Sequence, residues 1–353
     1  MEVHVKPTPP TGLELYHRGE PLWTRKILKD VQAQIKEDVP ILIMHCTNGR
    51  LVHQRNAAHK QSTYWHNKVV FFGYRQLIDP RFKHPVVPLE YCSYTIRQIS
   101  FEDPIFPYYV SRYDVPELHR AFKIAIKDWL KHKTRRTLAA ALLGLKISPT
   151  IDKVICFGLG NNLTKEFETW TQHPAALTIR NVLKLKLSHK PRLLAHDPEY
   201  TDDTKAVLES LEFEVMGING VDGFVEVDEN SVVFSTSSDI PVNQVLAELA
   251  RPAVIITRAF KESDLDWVCD TNTPFLFDIS AGIHDQFDPD TPRTKAMFAD
   301  YNGTPLWEAS GETTPKLWAP WSTTAMQIYV RKKDYKSKEA KKDNFDSWFE
   351  LYD

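Results

Sequence analysis

The hydrophobic pattern of the chain is clearest in its middle third. Val154 to Phe157 form a continuous apolar run, as in a strand that is buried on both faces. Before this run, Asp114 can cap a helix and Pro116 suits a first helical turn. Apolar residues then recur on one helical face, at Leu118, Phe122, Ala125 and Trp129.

Similar runs predict an alternation of strands and helices along the rest of the chain. The predicted strands are residues 40–46, 68–73, 193–196, 213–216, 231–235, 253–257 and 275–279. The further predicted helices are residues 139–145, 163–187 with Pro174 starting a new helix or kinking the old one, 200–211, and 241–250. The alternation predicts an α/β fold, Rossmann-like and doubly wound around a mostly parallel sheet.

The same pattern suggests three regions. We expect residues 1–110 to form an N-terminal α+β extension with strands and, over 76–113, irregular structure. Residues 111–280 would form the Rossmann-type core. Residues 281–353 are polar and contain tryptophans, and we expect them to pack on the core as a C-terminal extension.

Composition excludes several classes of protein. The chain has 353 residues, a net charge of −2 and 42% hydrophobic residues, so it is not a polyelectrolyte. Its four cysteines lack metal-ligand spacing, and Cys156 lies inside the core strand, which indicates a reducing compartment. No apolar run approaches the length of a membrane span, so we expect a cytoplasmic protein without membrane contact.

Gly158 and Gly160 interrupt the buried strand, and helical sequence follows. A strand that ends in Gly-x-Gly lets the backbone approach a ligand at the carboxyl edge of the sheet. The third glycine of the dinucleotide fingerprint is missing, so the pattern alone does not specify NAD. The expected small-molecule contacts are Gly158, Gly160, Asn161, Asn162, Ser235 and Ser237.

Acidic residues follow the next predicted strand. Asp197 could accept hydrogen bonds from ribose hydroxyls, although its separation from Gly158 is about twice the usual ~20 residues. It could equally form an Asp-Pro turn that caps the next helix. The candidate acid–base group is Asp197, Glu199, Asp202, Asp203 and Glu209. The alternative for its helical members is that they complement the helix dipole.

Two helices carry many cations. The first set has near four-residue spacing on the helix after Asp114 and the segment that follows it, and the second lies near the end of the 163–187 helix. The candidate nucleic-acid contacts are Lys123, Lys127, Lys131, Arg135, Arg136, Arg180 and Lys184. A solvated surface and a polyanion-binding surface both remain open.

Metal and cofactor motifs are weak. His53, His59 and His66 lie at intervals that are uncommon for zinc, and the acidic residues between 278 and 290 fit a turn-rich loop. The sequence contains no Walker A loop, nucleophile elbow or His-Glu-x-x-His motif. We therefore predict no metal and no resident cofactor.

Several segments together resemble the SRR-like domain family, named for sensitivity to red light reduced, and especially its fungal members. The segments are 154–160, Gln172-His173 with Ala175–Leu177, 197–201, 235–242 and 251–256. The resemblance covers roughly residues 110–280 and implies a Rossmann-like fold.

Some fungal proteins with this domain look like arginine-containing cyclodipeptide synthases of secondary metabolism. That resemblance implies a transferase that uses aminoacyl-tRNA as its partner. The functional motif of such proteins is Asp-Asp-x-x-Glu, whereas here Asp202-Asp203 precedes Glu209 as the next glutamate. The alternatives are an S-adenosylmethionine-dependent methyltransferase and a noncatalytic regulatory protein.

Overall fold

The computed structural model describes residues 12–46, 49–60, 65–74, 77, 93–100, 113–161, 163–165, 168–217, 219–236, 238, 240–261, 288–307 and 325–332. The helices in these ranges are α1 (Gly12–His17), α2 (Arg25–Lys36), α3 (Val115–Lys131), α4 (Lys133–Gly144), α5 (Gln172–Lys186), α6 (Asp202–Ser210), α7 (Asp222–Glu226), α8 (Val242–Leu249) and α9 (Pro292–Phe298). The strands are β1 (Ile41–His45), β2 (Leu51–Arg55), β3 (Trp65–Phe71), β4 (Tyr94–Ser100), β5 (Lys153–Phe157), β6 (Arg192–His196), β7 (Glu214–Val215), β8 (Ser231–Ser235), β9 (Val254–Arg258), β10 (Tyr301–Trp307) and β11 (Met326–Arg331).

Within the described ranges, seven strands form one central sheet in the order β10-β11-β9-β8-β5-β6-β7. The five strands from β9 to β7 are parallel, whereas β11 is antiparallel to both of its neighbours. The chain runs outward from β5 through β6 to β7 and then returns to β8 on the other side of β5. This reversal places a topological switch point at β5, where open α/β sheets bind ligands. The predicted Rossmann-like α/β fold is confirmed.

The sheet is buried on both faces because its strands are apolar at consecutive positions. Val154 and Cys156 join a core with α3, α4, α5 and α6. Ile155 and Phe157 join a second core with α2, α7, α8 and α9. Successive side chains of a strand point to opposite faces, so this alternation follows from the pleat.

Helix α3 begins as the sequence predicts. The Asp114 carboxylate accepts from the Glu117 backbone N–H at 2.8 Å, and the Glu117 side chain accepts from the Asp114 N–H at 3.4 Å. This capping box satisfies two groups at the helix start, and Pro116 lies in the first turn. The predicted apolar residues of α3 are buried, together with Ile126.

The N-terminal extension shares a core with the sheet. Glu248 of α8 is the main polar link: its carboxylate accepts from the backbone N–H groups of Leu22 and Trp23 at 2.7 Å each and from the Tyr74 hydroxyl at 2.7 Å. The same carboxylate pairs with Arg293. One buried acid therefore ties the start of the chain to two helices of the core.

The structure contains strands that the sequence did not predict, and the predicted 163–187 helix begins only at Gln172, after a 3₁₀ turn. Strand β4 lies inside 76–113, where the sequence predicted irregular structure; it pairs with β3 along its whole length, and Tyr94, Thr95 and Ile96 are buried. Strands β10 and β11 extend the sheet beyond residue 280. The predicted strand 275–279 lies outside the described residues. Among the described helices, none is long and apolar enough to cross a membrane.

Candidate ligand-binding site at the carboxyl edge of the sheet

The turn after β5 depends on two glycines in the left-handed region. Gly158 has φ +64° and Gly160 has φ +76°, a conformation that L side chains rarely adopt. The Gly158 N–H donates to the His196 carbonyl at 3.1 Å, so the turn is joined to the end of β6. A Cβ at Gly158 would lie 2.8 Å from the Ser238 Cα, so this glycine also lets the loop after β8 approach.

Asp197 links the glycine turn to the end of β6. One carboxylate oxygen accepts from the Gly160 N–H at 2.7 Å, and the other accepts from the Glu199 N–H at 2.9 Å. The residue is 5% exposed. Burial raises the pKa of Asp197 to about 6, and the nearby Glu199 charge acts in the same direction, while the two N–H groups and Lys68 oppose them. Each oxygen keeps a further lone pair for a ligand donor.

Gln172, at the start of α5, fills the space behind the turn. With its amide nitrogen oriented toward the turn, it donates to the Gly158 and Leu159 carbonyls at 3.1 and 3.2 Å. Its amide oxygen then accepts from the Thr236 hydroxyl at 3.2 Å. Sequence reasoning gave Gln172 no role, because nothing in the local pattern shows that its side chain folds back onto the turn.

The start of α5 is a poor pyrophosphate site. A 3₁₀ turn at Glu168–Thr171 runs directly into the helix, and Thr171 has helical backbone angles. Pro174, in the first turn, has no backbone N–H. A helix N-terminus binds phosphate through free N–H groups, so this arrangement disfavours a dinucleotide.

Two of the other predicted ligand contacts lie at this edge. The Asn161 side-chain oxygen accepts from the Thr201 N–H at 3.1 Å, which holds the glycine loop against the start of α6. Ser235 is buried at the last position of β8, in register with Phe157. Asn162 and Ser237 lie outside the described residues.

The candidate acids divide into two groups. Asp197 and half-buried Glu199 lie at the carboxyl end of β6. Asp202 and Asp203 occupy the first turn of α6, and the Asp202 side chain is 97% exposed and pairs with Lys205 at 2.8 Å. Glu209 is exposed two turns further on, about 10 Å along the helix axis. The structure therefore does not bring Glu209 to Asp197, and the first-turn acids are placed where they complement the helix dipole.

The candidate cations also divide. Lys123, Lys127 and Lys131 are exposed on α3, Arg136 is exposed on α4 and Lys184 is exposed on α5. Arg135 and Arg180 are buried, which corrects their prediction as surface phosphate contacts. Arg135 donates to the Leu130 carbonyl at 3.2 Å, and Arg180 donates to the Glu212 carbonyl at 3.3 Å. Both guanidinium groups serve internal contacts because their helix positions face the core.

A buried polar pair, His173 and Tyr200, lies next to the site. The His173 Nε2 and the Tyr200 hydroxyl lie 3.0 Å apart, and both residues are buried beside Phe122 and Phe213. Burial lowers the pKa of His173 to about 3, so the ring is neutral at physiological pH. This contact holds the turn with Asp197 and Glu199 against α5, because Tyr200 follows that turn and His173 belongs to α5.

The weak metal motifs of the sequence can be compared with the structure only in part, because residues 278–287 lie outside the described residues. His53 is exposed on β2, whereas His66 is buried on β3. Asp288 is buried and caps α8, accepting from the Asn243 and Gln244 N–H groups at 2.8 and 3.2 Å. Across the described residues, no three His, Cys, Asp or Glu side chains group so that they could hold a metal ion.

The sheet order defines a Rossmann-like α/β protein, and the glycine turn with Asp197 forms its candidate ligand site. Comparison with known families identifies an SRR1 domain over residues 127–343, which is more than half of the chain. The chain belongs to the SRR1 domain family, as its sequence motifs indicated. The matched region extends beyond residue 280 and includes β10 and β11.

Comparison with solved structures finds a precorrin-6y C5,15-methyltransferase from Geobacter metallireducens. It is 13% identical to this chain, with a TM-score of 0.29, and the match covers 56% of this chain and 88% of that one. A search of curated proteins finds no match to the chain.

Proposed function

We propose that this chain is a transferase that uses aminoacyl-tRNA and joins aminoacyl groups into a cyclic dipeptide. The observation that carries the proposal is Asp197, a buried carboxylate beside a glycine turn at the switch point of the sheet. An acid in this position suits the ribose hydroxyls of an adenosine. The 3′ end of every tRNA is an adenosine, and its ribose carries the aminoacyl ester.

The exposed cations on α3 support tRNA as the carrier. Lys123, Lys127 and Lys131 recur at four-residue spacing over about 12 Å of helix, a length that spans several backbone phosphates. Helix α3 packs against α6 and the 3₁₀ turn before α5, so this surface adjoins the elements that carry the site. Contacts to phosphate would position the tRNA without reading its sequence.

The reaction needs groups that accept and return protons. Two aminolysis steps close the ring. In each step a free amine attacks an ester carbonyl, a C–N bond forms, and the ester C–O bond to the ribose breaks, so that the first step gives a dipeptidyl ester and the second releases the cyclic dipeptide. The proton lost by the amine ends on the released ribose hydroxyl. Asp197 has a pKa of about 6, close to a working pH, so it suits this transfer, and Glu199 lies beside it.

A second candidate is methyl transfer from S-adenosylmethionine. The observation that favours it is the start of α5, where Pro174 and the 3₁₀ turn disfavour a pyrophosphate. S-adenosylmethionine has an adenosine but no phosphate, and Asp197 would bind its ribose in the same way.

The test is to incubate the purified protein with charged total tRNA and radiolabelled arginine and to analyse small labelled products. A labelled cyclic dipeptide is the expected result. If no product forms although the tRNA is confirmed to be charged, the next experiment is calorimetry with S-adenosylhomocysteine, the demethylated form of S-adenosylmethionine. Binding of that cofactor would replace the first proposal with the second, and absence of both product and binding would leave a noncatalytic protein.

A further inference from the structure

The antiparallel pair β3–β4, the N-terminal hairpin, lies outside the matched SRR1 domain and reaches the candidate site. Strand β3 is fixed to the loop after β7 by the Val69 N–H, which donates to the Asn219 carbonyl at 2.7 Å. Gly220, at φ +82°, lets this loop approach, since a Cβ there would lie 2.8 Å from the Val69 carbonyl oxygen. Two backbone contacts on the neighbouring residue therefore set the position of Lys68.

Lys68 pairs with one of the two acids that follow β6, Glu199. Its side chain is only 18% exposed, and its Nζ lies 3.9 Å from a Glu199 carboxylate oxygen. The charge of Glu199 raises the pKa of Asp197, and that of Lys68 lowers it. The lysine thus offsets a repulsion between two acids that are separated by one proline along the chain.

The other titratable groups around Lys68 come from β3, β6, α6 and α7. His66 of β3 and His196 of β6 each have a pKa lowered to about 4, mainly by burial, so both are neutral at physiological pH. The charge of Lys205 in α6 also lowers the pKa of His66, and the charge of Asp222 in α7 raises the pKa of His196. Lys205 pairs with exposed Asp202, whereas Lys68 pairs with Glu199.

We propose that Lys68 is a positioning residue of the site, which holds Glu199 and balances the carboxylate charge beside Asp197. The SRR1 match begins at residue 127, so the hairpin that carries Lys68 adds a group that the matched domain does not contain. An ionised Asp197 accepts hydrogen bonds from ligand hydroxyls on both oxygens, and Lys68 favours that form. This role is the same whether the site binds aminoacyl-tRNA or S-adenosylmethionine.

The experiment is a pH titration of the Asp197 carboxyl carbon by NMR, with ¹³C-labelled aspartate and the signal assigned by its loss in Asp197→Asn. In Lys68→Met, the midpoint should rise by roughly 0.5–1 pH unit, which is less than the ~1–3 units that an opposite charge in close contact produces, because the Lys68 ammonium pairs with Glu199 and acts on Asp197 only through its charge. Lys68→Arg should restore the wild-type midpoint.

The matched control is Lys205→Met, which removes a neighbouring lysine that pairs with Asp202 and should leave the Asp197 midpoint unchanged. Glu199→Gln supplies a second measurement that keeps Lys68 intact, and it should lower the midpoint by removing the like charge. Thermal melts establish that each variant is folded. An Asp197 midpoint that is the same in wild type and in folded Lys68→Met would overturn the proposal, whatever the effect of Glu199→Gln.

Discussion

At the residue scale, Asp197 is a buried acid that opposes folding when it is ionised. Its pKa is raised to about 6 in the folded protein, from 3.8 in an unfolded chain. The folded state therefore binds the proton more tightly, and this residue's contribution to the free energy of unfolding falls as pH rises from about 4 to 6. The difference corresponds to roughly 3 kcal/mol.

The pH dependence of Asp197→Asn tests this directly. The stability of wild type relative to the variant should fall between about pH 4 and pH 6 and stay constant above, because the asparagine does not ionise. Denaturant unfolding over this pH range measures the difference. A flat difference would show that Asp197 has an ordinary pKa.

Gly158 should not tolerate a side chain. Gly158→Ala forces a left-handed alanine at φ +64° and places a Cβ 2.8 Å from the Ser238 backbone, so we expect a loss of about 2 kcal/mol or more. The control is Gly144→Ala at the end of α4, where a Cβ would meet nothing within 4 Å. Thermal unfolding should show the control to be neutral or slightly more stable. Equal effects at the two sites would contradict the geometry of the turn.

At the scale of elements, the cationic face of α3 should set the salt dependence of tRNA binding. The double variant Lys123→Gln/Lys131→Gln removes two exposed charges, so the slope of log K against log salt should become shallower by about 1 to 2. The control, Lys26→Gln/Lys29→Gln, removes two exposed charges from α2 on the opposite face of the sheet. Filter binding at several salt concentrations measures both. The tRNA surface would lie elsewhere if the two double variants gave the same slope.

The Glu248 contacts should be essential for docking the N-terminal extension. Glu248→Gln places an amide against the Leu22 and Trp23 N–H groups and leaves the Arg293 charge without its acid, so a loss of about 3–5 kcal/mol is expected. Exposed Glu209→Gln on α6 is the control and should change stability by less than about 0.5 kcal/mol. Urea unfolding compares the two, and similar midpoints would mean that the buried pair contributes little.

At the scale of the whole molecule, local patterns were enough for the central architecture. The continuous apolar run of β5 predicted a strand buried on both faces, and Asp114 with Pro116 located the start of α3. The glycine turn and Asp197 were predicted at one edge, and the structure joins them by a hydrogen bond. These features could be predicted because they depend on residues close together in the sequence or on the alternation of strands and helices.

Other features depend on contacts between distant parts of the chain, which local patterns do not contain. Arg180 has the same local sequence signal as exposed Lys184, but its helix position faces the core. Lys68 approaches Glu199 only because β3 docks on the loop after β7. Likewise, β10 and β11 join the sheet from a region whose polar, proline-rich composition concealed them.

The site at Asp197, at the carboxyl ends of the strands, is proposed to bind the 3′-terminal adenosine of aminoacyl-tRNA. The measurement is calorimetry at pH 7.5 with arginyl-adenosine, in which a 3′-amide replaces the labile ester. The proteins compared are wild type, Asp197→Asn and Asp152→Asn, the last being the same substitution at an exposed acid beside the opposite edge of the sheet. We expect at least about tenfold weaker binding, or about 1.4 kcal/mol, for Asp197→Asn alone. Equal affinity for all three proteins would contradict it.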